Sequence, residues 1–281
     1  MPVQARARRG GIASRATVEI ARDVHWLRLR GANVYFVRSG ETWALLDAGF
    51  SGSAPAIDRA AERLCAATGR PAEILITHGH PDHVGSAVEL AAAWDVPILA
   101  PAGEMPFMDG TALYPEPLVA WLARVLPRRA MEALVRGSDL GDGIRPFAPA
   151  AGVPGLPEWV CVPTPGHTPG HTAFFRPGDR TLIAGDAVLT MAWSSRLGGR
   201  GAGWLWDLVR RRPRLTGPPT MVTCDWRAAA GSIAALANLE PWLLATGHGR
   251  PLTGRRVAPA LRAFAAACEK STSYDAHVSA T

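Results

Sequence analysis

The stretch Ile76-Thr77-His78-Gly79-His80-Pro81-Asp82-His83-Val84-Gly85 concentrates side chains that can bind a metal ion. It holds three of the eight histidines of the chain together with one aspartate. Imidazole nitrogens and carboxylate oxygens are ligands that zinc and similar cations accept. The alternative, a helix N-terminus capped by Asp82, explains one residue and leaves three histidines without a role. The stretch therefore predicts a metal site formed in part by His78, His80, Asp82 and His83.

The surrounding pattern places this stretch between a strand and a helix. An apolar run at 72–77 is typical of a buried strand, a helical pattern covers 84–94, and another short strand follows at 96–100. This order predicts a βαβ unit. Residues two apart in an extended chain point to the same side, so the two histidines before Pro81 should converge. The turn after Pro81 can direct the next two ligands to a second point nearby.

Three further glycine-containing motifs follow apolar strands later in the chain. They are Thr164–His171 (TPGHTPGH), Gly185-Asp186 and Gly247-His248-Gly249. Glycine lets the backbone fold closely round an ion, although each motif alone is also common in turns. Loops at the carboxyl ends of several strands can meet, so the shared position makes His167, Asp186 and His248 candidates for the same site.

The hydrophobic pattern predicts one folded domain with two less regular segments. Residues 1–17 have the composition of a flexible lead-in, residues 18–270 carry the strands and helices, and 271–281 form a polar, flexible tail. We interpret the segments at about 101–157 and 188–226 as insertions over the scaffold. Two β-rich halves, each followed by helices, predict two sheets packed face to face with helices outside.

Composition excludes several classes of protein. With 48% hydrophobic and 19% charged residues, extensive disorder is excluded. We find no apolar run long enough for a membrane-spanning helix and no secretory signal pattern at the amino end, so we expect no membrane partner and a cytoplasmic location. The four cysteines are widely spaced, which indicates reduced thiols.

The net charge of +6 raises the question of nucleic-acid binding. Nearly all the basic residues are arginine, with Lys270 as the only lysine, and most are spread along the chain. A dedicated nucleic-acid binder more often concentrates them on one element. We therefore do not expect nucleic acid to be the main partner.

The motifs together resemble those of the metallo-β-lactamase superfamily. Its H-x-H-x-D-H motif is matched in full at residues 78–83, and its later metal-binding motifs match PGHTPGH, AGDA and TGHGRP in the same order. The resemblance covers about residues 25–255. It implies an α/β fold, a four-layer αβ/βα sandwich in which two mixed β-sheets are flanked by helices, with a binuclear metal site at one sheet edge.

The resemblance also implies a ligand set. One ion would be bound by His78, His80 and His167, the other by Asp82, His83 and His248, and Asp186 would bridge both. Two Zn²⁺ per chain are expected, with iron or manganese as alternatives. In such a site a bridging hydroxide attacks a carbonyl group, and Asp82 would orient the water and later pass a proton to the leaving group.

Two further residues match the family pattern without being expected ligands. Asp47, in Leu45-Leu46-Asp47-Ala48-Gly49, is interpreted as a group that holds an imidazole or amide in place, the alternative being an ordinary turn aspartate. His171, four residues after His167, is interpreted as supporting structure.

Departures from the family pattern narrow the expected reaction. Asp186 stands where certain antibiotic-hydrolysing members have cysteine, which favours the glyoxalase II, lactonase and general hydrolase branches. A glutathione-binding extension after His248 and a tyrosine shortly after Asp186 are both absent from the sequence. We therefore expect a hydrolase of a small ester, thioester or lactone. Tryptophan and leucine in the two insertions indicate a small-molecule substrate with an apolar acyl or aromatic part.

Two other functions remain as alternatives. One is a mononuclear iron oxygenase of the persulfide dioxygenase type, which uses a subset of the same ligands. The other is a phosphodiesterase or RNA-processing hydrolase, suggested only by the positive net charge.

Overall fold

The computed structural model describes residues 17–66, 69–115, 140–191, 215–218 and 222–278 of the 281-residue chain. Within these ranges the strands form one sheet of seven and one of five. Among the described residues, no helix combines the length and the hydrophobicity that a transbilayer segment requires.

The seven-stranded sheet consists of β1 (Val18–Ala21), β2 (Val24–Arg28), β3 (Asn33–Ser39), β4 (Thr42–Leu46), β5 (Glu73–Leu75), β6 (Ile98–Pro101) and β7 (Ile144–Phe147). Its strands lie in chain order. Strands β1 to β4 form an antiparallel meander, because turns at Asp23 and Gly40 with positive φ reverse the chain directly. Strands β4 to β7 are parallel, so the chain must return between them through helices or loops.

The five-stranded sheet consists of β8 (Val160–Pro163), β9 (Thr172–Arg176), β10 (Thr181–Ile183), β11 (Leu243–Ala245) and β12 (Leu252–Thr253). The spatial order is β12-β11-β10-β9-β8, and only β10 and β11 pair parallel. Strands β8, β10 and β11 therefore end at the same edge, which is where the predicted ligands of the second half follow.

The helices lie on the outer faces of the two sheets. They are α1 (Ala54–Leu64), α2 (Pro81–Val84), α3 (Ala87–Trp94), α4 (Met105–Met108), α5 (Trp226–Asn238) and α6 (Val257–Val278). Helices α1 and α3 pack on the first sheet through Ile57 and Leu90. Helices α5 and α6 pack on the second through Ile233 and Leu261.

The central core lies between the sheets. It joins Tyr35 and Leu46 of the first sheet to Phe174 and Ile183 of the second. Neighbouring residues of β3 point alternately into this core and toward the helices, so that strand is apolar on both faces. The layers run helix, sheet, sheet, helix, which confirms the predicted αβ/βα sandwich.

Three boundaries differ from those predicted. The segment at 101–157 is not wholly an insertion, because Ile144–Phe147 pairs with β6 as the last strand of its sheet. This strand was not predicted because its two central residues, Arg145 and Pro146, are exposed and proline is uncommon within strands. The helix predicted over 84–94 begins at Ala87, after a break at Gly85-Ser86. Helix α6 continues past Lys270 to Val278, into the predicted tail, since neither glycine nor proline stops it there.

The packing between the sheets predicts a large effect of Phe174→Ala, which would empty a fully buried position. We expect a loss of about 3–5 kcal/mol in the free energy of unfolding, measured by urea denaturation at a fixed zinc concentration. Val160→Ala on the neighbouring strand is the control, because that side chain is 43% exposed. Equal losses in the two variants would contradict the proposed core.

Candidate metal centre

All seven predicted ligand side chains meet at one edge of the sandwich. His78 and His80 follow β5, Asp82 and His83 lie in α2, and the other three follow β8, β10 and β11. Their ligand atoms fall into overlapping groups within which all atoms lie no more than 4.8 Å apart. The structure therefore brings together side chains that are separated by up to 170 positions in the sequence.

The first group, termed the three-histidine cluster, consists of His78, His80 and His167. The Nδ1 atom of His80 lies 3.0 Å from Nε2 of His78 and 3.0 Å from Nε2 of His167. Burial lowers the pKa of His80 to about 4, and burial with neighbouring imidazoles lowers the pKa of the other two further. The three rings are thus neutral at neutral pH, with lone pairs available to a cation.

The second group, termed the acidic cluster, consists of Asp82, His83 and His248. Nε2 of His248 lies 3.1 Å from Oδ2 of Asp82, and Nε2 of His83 lies 3.7 Å from the same oxygen. Burial lowers the pKa of His248, but the carboxylates of Asp186 and Asp82 outweigh burial and raise it to about 10. The carboxylates therefore favour positive charge at this point, which a bound cation would supply.

Asp186 lies between the two clusters. Its Oδ2 is 3.1 Å from Nε2 of His248 and 3.7 Å from Nε2 of His167, while its Oδ1 is 3.5 Å from Nε2 of His83. A bridging ligand would have to occupy this position. A side chain at position 247 would collide with it, because a Cβ there would lie 2.0 Å from Oδ1, so only glycine fits.

Two atoms at this junction test whether the residues fit a metal ion. Nε2 of His83 and Oδ1 of Asp186 are both buried without a hydrogen-bond partner. An unsatisfied buried polar atom costs free energy, and two of them facing each other need a shared explanation. A cation between them would satisfy both, and the imidazole and carboxylate donors are those that zinc or iron accepts.

Asp47 and His171 support the clusters from behind. Oδ2 of Asp47 lies 2.7 Å from Nδ1 of His83, and its Oδ1 accepts the backbone N–H of Thr77. His171 accepts the backbone N–H of Asp186 at Nε2 and lies 2.7 Å from the Thr164 hydroxyl at Nδ1. Each fixes a ligand residue rather than facing the clusters.

Two residues of the site were missed in the sequence. Glu104, fully buried, and Tyr114 both contact Gly79, which lies between His78 and His80. Both lie in the segment that was interpreted as an insertion. Glu104 nevertheless comes shortly after the end of β6, just as the other site residues come shortly after the ends of their strands. That position is the feature of the sequence from which Glu104 could have been predicted as a site residue. Of the tryptophans in the two predicted insertions, Trp226 begins α5 and packs against the core of the second sheet, whereas those at 121, 193, 204 and 206 lie outside the described residues.

Comparisons with known proteins agree with this geometry. A family model described as the metallo-beta-lactamase superfamily matches residues 27–248. The chain is 37% identical over 254 residues to the probable metallo-hydrolase YflN of Bacillus subtilis, covering 87% of this chain and 90% of that protein.

Two more distant similarities bear on chemistry. The chain is 29% identical over 169 residues to a hydroxyacylglutathione hydrolase of Cereibacter sphaeroides, covering 60% of this chain and 53% of that enzyme. A crystal structure of TTHA1623 in a di-iron-bound form matches with a TM-score of 0.51 at 25% identity, covering 81% of this chain and 93% of the other.

The position of Asp186 predicts that Asp186→Asn weakens metal binding at both clusters, because the substitution removes the charge that they share. Metal content per chain after gel filtration should fall to about half of the wild-type value or less. Asp95→Asn is the matched control. It makes the same substitution at an exposed aspartate, at the carboxyl end of α3, that belongs to neither cluster. Metal content equal to that of the wild type would refute the bridging role.

His171 is expected to act on stability. His171→Ala leaves the buried N–H of Asp186 without its acceptor, which should lower the free energy of unfolding by about 1–3 kcal/mol. In excess zinc the variant should still bind both ions, as measured by elemental analysis. Loss of one ion with unchanged stability would instead identify His171 as a ligand.

Proposed function

Since the chain belongs to the metallo-β-lactamase superfamily, we propose that it is a binuclear zinc hydrolase of a small ester, thioester or lactone. The observation that carries the proposal is the pair of clusters with Asp186 between them and two unsatisfied buried atoms facing each other. This arrangement needs positive charge at its centre, and it offers ligands for two ions.

The ligand assignment follows from the clusters. The three-histidine cluster would hold one ion, the acidic cluster the other, and Asp186 would contact both. Bound divalent cations would lower the pKa of a water molecule and polarise the substrate carbonyl.

Asp82 is the residue best placed to move protons. Its side chain is 20% exposed, whereas that of Asp186 is 4% exposed, so Asp82 is the carboxylate of the two that water and substrate can reach. It would accept a proton from the attacking water and deliver it to the leaving group. Asp186 and the buried histidines would remain fixed, which keeps the site preorganised.

Two exposed apolar side chains support an apolar or aromatic substrate. Phe50 is 44% exposed, and its ring packs against Gly31, whose carbonyl accepts a hydrogen bond from His248. Leu113 is 54% exposed and precedes Tyr114, whose ring lies 5.2 Å from that of His80. Phe50 thus lies close to a residue that contacts the acidic cluster, and Leu113 adjoins one that contacts the three-histidine cluster; we expect both to bury part of an acyl or aryl group.

The bond type is inferred from the relatives. Similarity to a hydroxyacylglutathione hydrolase favours a thioester. The di-iron neighbour makes iron the main alternative to zinc.

A substrate panel tests the proposal. Zinc-loaded protein should hydrolyse a thioester, aryl ester or lactone at least about 100-fold faster than its Asp82→Asn variant, because loss of the proton acceptor removes that much rate. Asp95→Asn should match the wild type, and metal analysis should give two zinc ions per chain.

Three results would overturn the proposal. Cleavage of a phosphodiester alone would indicate a nuclease. One iron per chain with oxygen consumption would indicate a persulfide dioxygenase. Near-normal hydrolysis by Asp82→Asn would show that Asp82 does not transfer the proton in the reaction.

A further inference from the structure

Glu104 forms a buried junction between the two loops that supply the three-histidine cluster. Its Oε2 accepts hydrogen bonds from the backbone N–H of Gly79 at 3.0 Å and from the Tyr114 hydroxyl at 2.5 Å. Its Oε1 accepts the Thr168 hydroxyl and the backbone N–H of Gly170, both at 2.7 Å. Each oxygen therefore holds one loop, the first beside His80 and the second beside His167.

The carboxylate of Glu104 is held by hydrogen bonds rather than by an ion pair with a described residue. Among the described residues no arginine or lysine forms an ion pair with Glu104, although the side chain is fully buried. Four donors lessen the cost of burying a carboxylate, but an isolated buried charge remains unfavourable. A cation bound by the adjacent histidines would lower that cost further.

Close packing leaves these loops little freedom to shift. A Cβ on Gly170 would lie 2.3 Å from the carbonyl carbon of Gly103 and 2.5 Å from the backbone nitrogen of Glu104. A Cβ on Gly79 would lie 2.5 Å from the Tyr114 hydroxyl. Only glycine fits at either position. The absence of a side chain at Gly79 and Gly170 lets the carboxylate of Glu104 reach the backbone of both loops.

His80 differs from its two partners in how its ring can be oriented. His78 and His167 face the cluster with Nε2 and leave Nδ1 for the hydroxyls of Thr77 and Thr223. His80 faces the cluster with Nδ1 itself. No hydrogen bond to a described residue holds its other nitrogen, Nε2, so its orientation depends on the backbone at Gly79 and on the Tyr114 ring.

We propose that Glu104, together with Tyr114, is a positioning residue that fixes His80 against His167 and thereby sets the metal affinity of the three-histidine cluster. This role rests on the metal-binding part of the proposed function and is independent of the reaction catalysed. It assigns the loop after β6 to the metal site.

The test measures metal affinity rather than activity alone. Holoprotein of the wild type and Glu104→Gln is titrated with a competing chelator, using zinc and, separately, cobalt. In this variant the amide N–H group faces N–H or O–H donors and cannot accept their hydrogen bonds. The ion at the three-histidine cluster should therefore bind about 10–100-fold more weakly. The second ion should change much less, and the visible absorption of the cobalt form should shift because His80 moves.

Two further variants separate positioning from general stability. Glu73→Gln makes the same substitution at a partly buried glutamate at the start of β5, the opposite end from His78, and should leave both affinities unchanged. Tyr114→Phe removes one hydroxyl and keeps the ring, so it should weaken the same ion by about tenfold even if Glu104→Gln fails to fold.

The outcomes distinguish this inference from the proposed function. If the wild type retains no divalent ion, the proposed function fails and the inference fails with it. If the wild type binds two ions and Tyr114→Phe and any folded Glu104→Gln bind them as tightly, the inference alone is overturned. Lower melting temperatures with unchanged affinity and cobalt spectrum would likewise reduce Glu104 to a structural residue.

Discussion

The contact between Asp186 and three imidazoles is the constraint on which the site depends. Its carboxylate lies 3.1 to 3.7 Å from Nε2 of His248, His83 and His167, which come from both sheets. A carboxylate and three imidazoles can be buried together only if their charges are balanced. Because Oδ1 of Asp186 is buried without a hydrogen-bond partner, the protein groups alone do not balance its charge. The two sheets must therefore pack with their strand ends in register at this edge, and the central core between them secures that alignment.

Most ligand imidazoles are held at the nitrogen that faces away from the clusters. His83 is held by Asp47, His78 by the Thr77 hydroxyl, His167 by Thr223, and His248 by the carbonyl of Gly31. Such contacts fix ring orientation and limit the rearrangement that metal binding requires. Asp47 adopts a positive φ, an uncommon conformation for aspartate, at the turn from which it reaches His83. Asp47 therefore combines an uncommon backbone conformation with the contact that orients His83.

The sequence allowed the fold and the grouping of the seven side chains to be predicted, because spacing and strand-end position are local properties. His78 and His80 stand two apart in extended chain, and Asp186 and His248 directly follow apolar strands. It did not reveal Ile144–Phe147 as a strand, since the two exposed residues in the middle, Arg145 and Pro146, break the usual alternation. Nor did it reveal Glu104, because an isolated glutamate in the stretch Pro101-Ala102-Gly103-Glu104-Met105-Pro106 resembles a loop residue until tertiary contacts bury it.

The two clusters illustrate different ways of holding a cation site in a small sandwich. The acidic cluster carries its own negative charge on Asp82 and receives more from Asp186, so its histidines are attracted to the centre. The three-histidine cluster has only the shared carboxylate of Asp186, whose Oδ2 lies 3.7 Å from Nε2 of His167, and its neutral rings are attracted less strongly. Its geometry must be imposed from outside, and the carboxylate of Glu104 contacts both loops that carry it. A buried charge placed behind neutral ligands thus supplies both the tether and the electrostatic bias that the ligands lack.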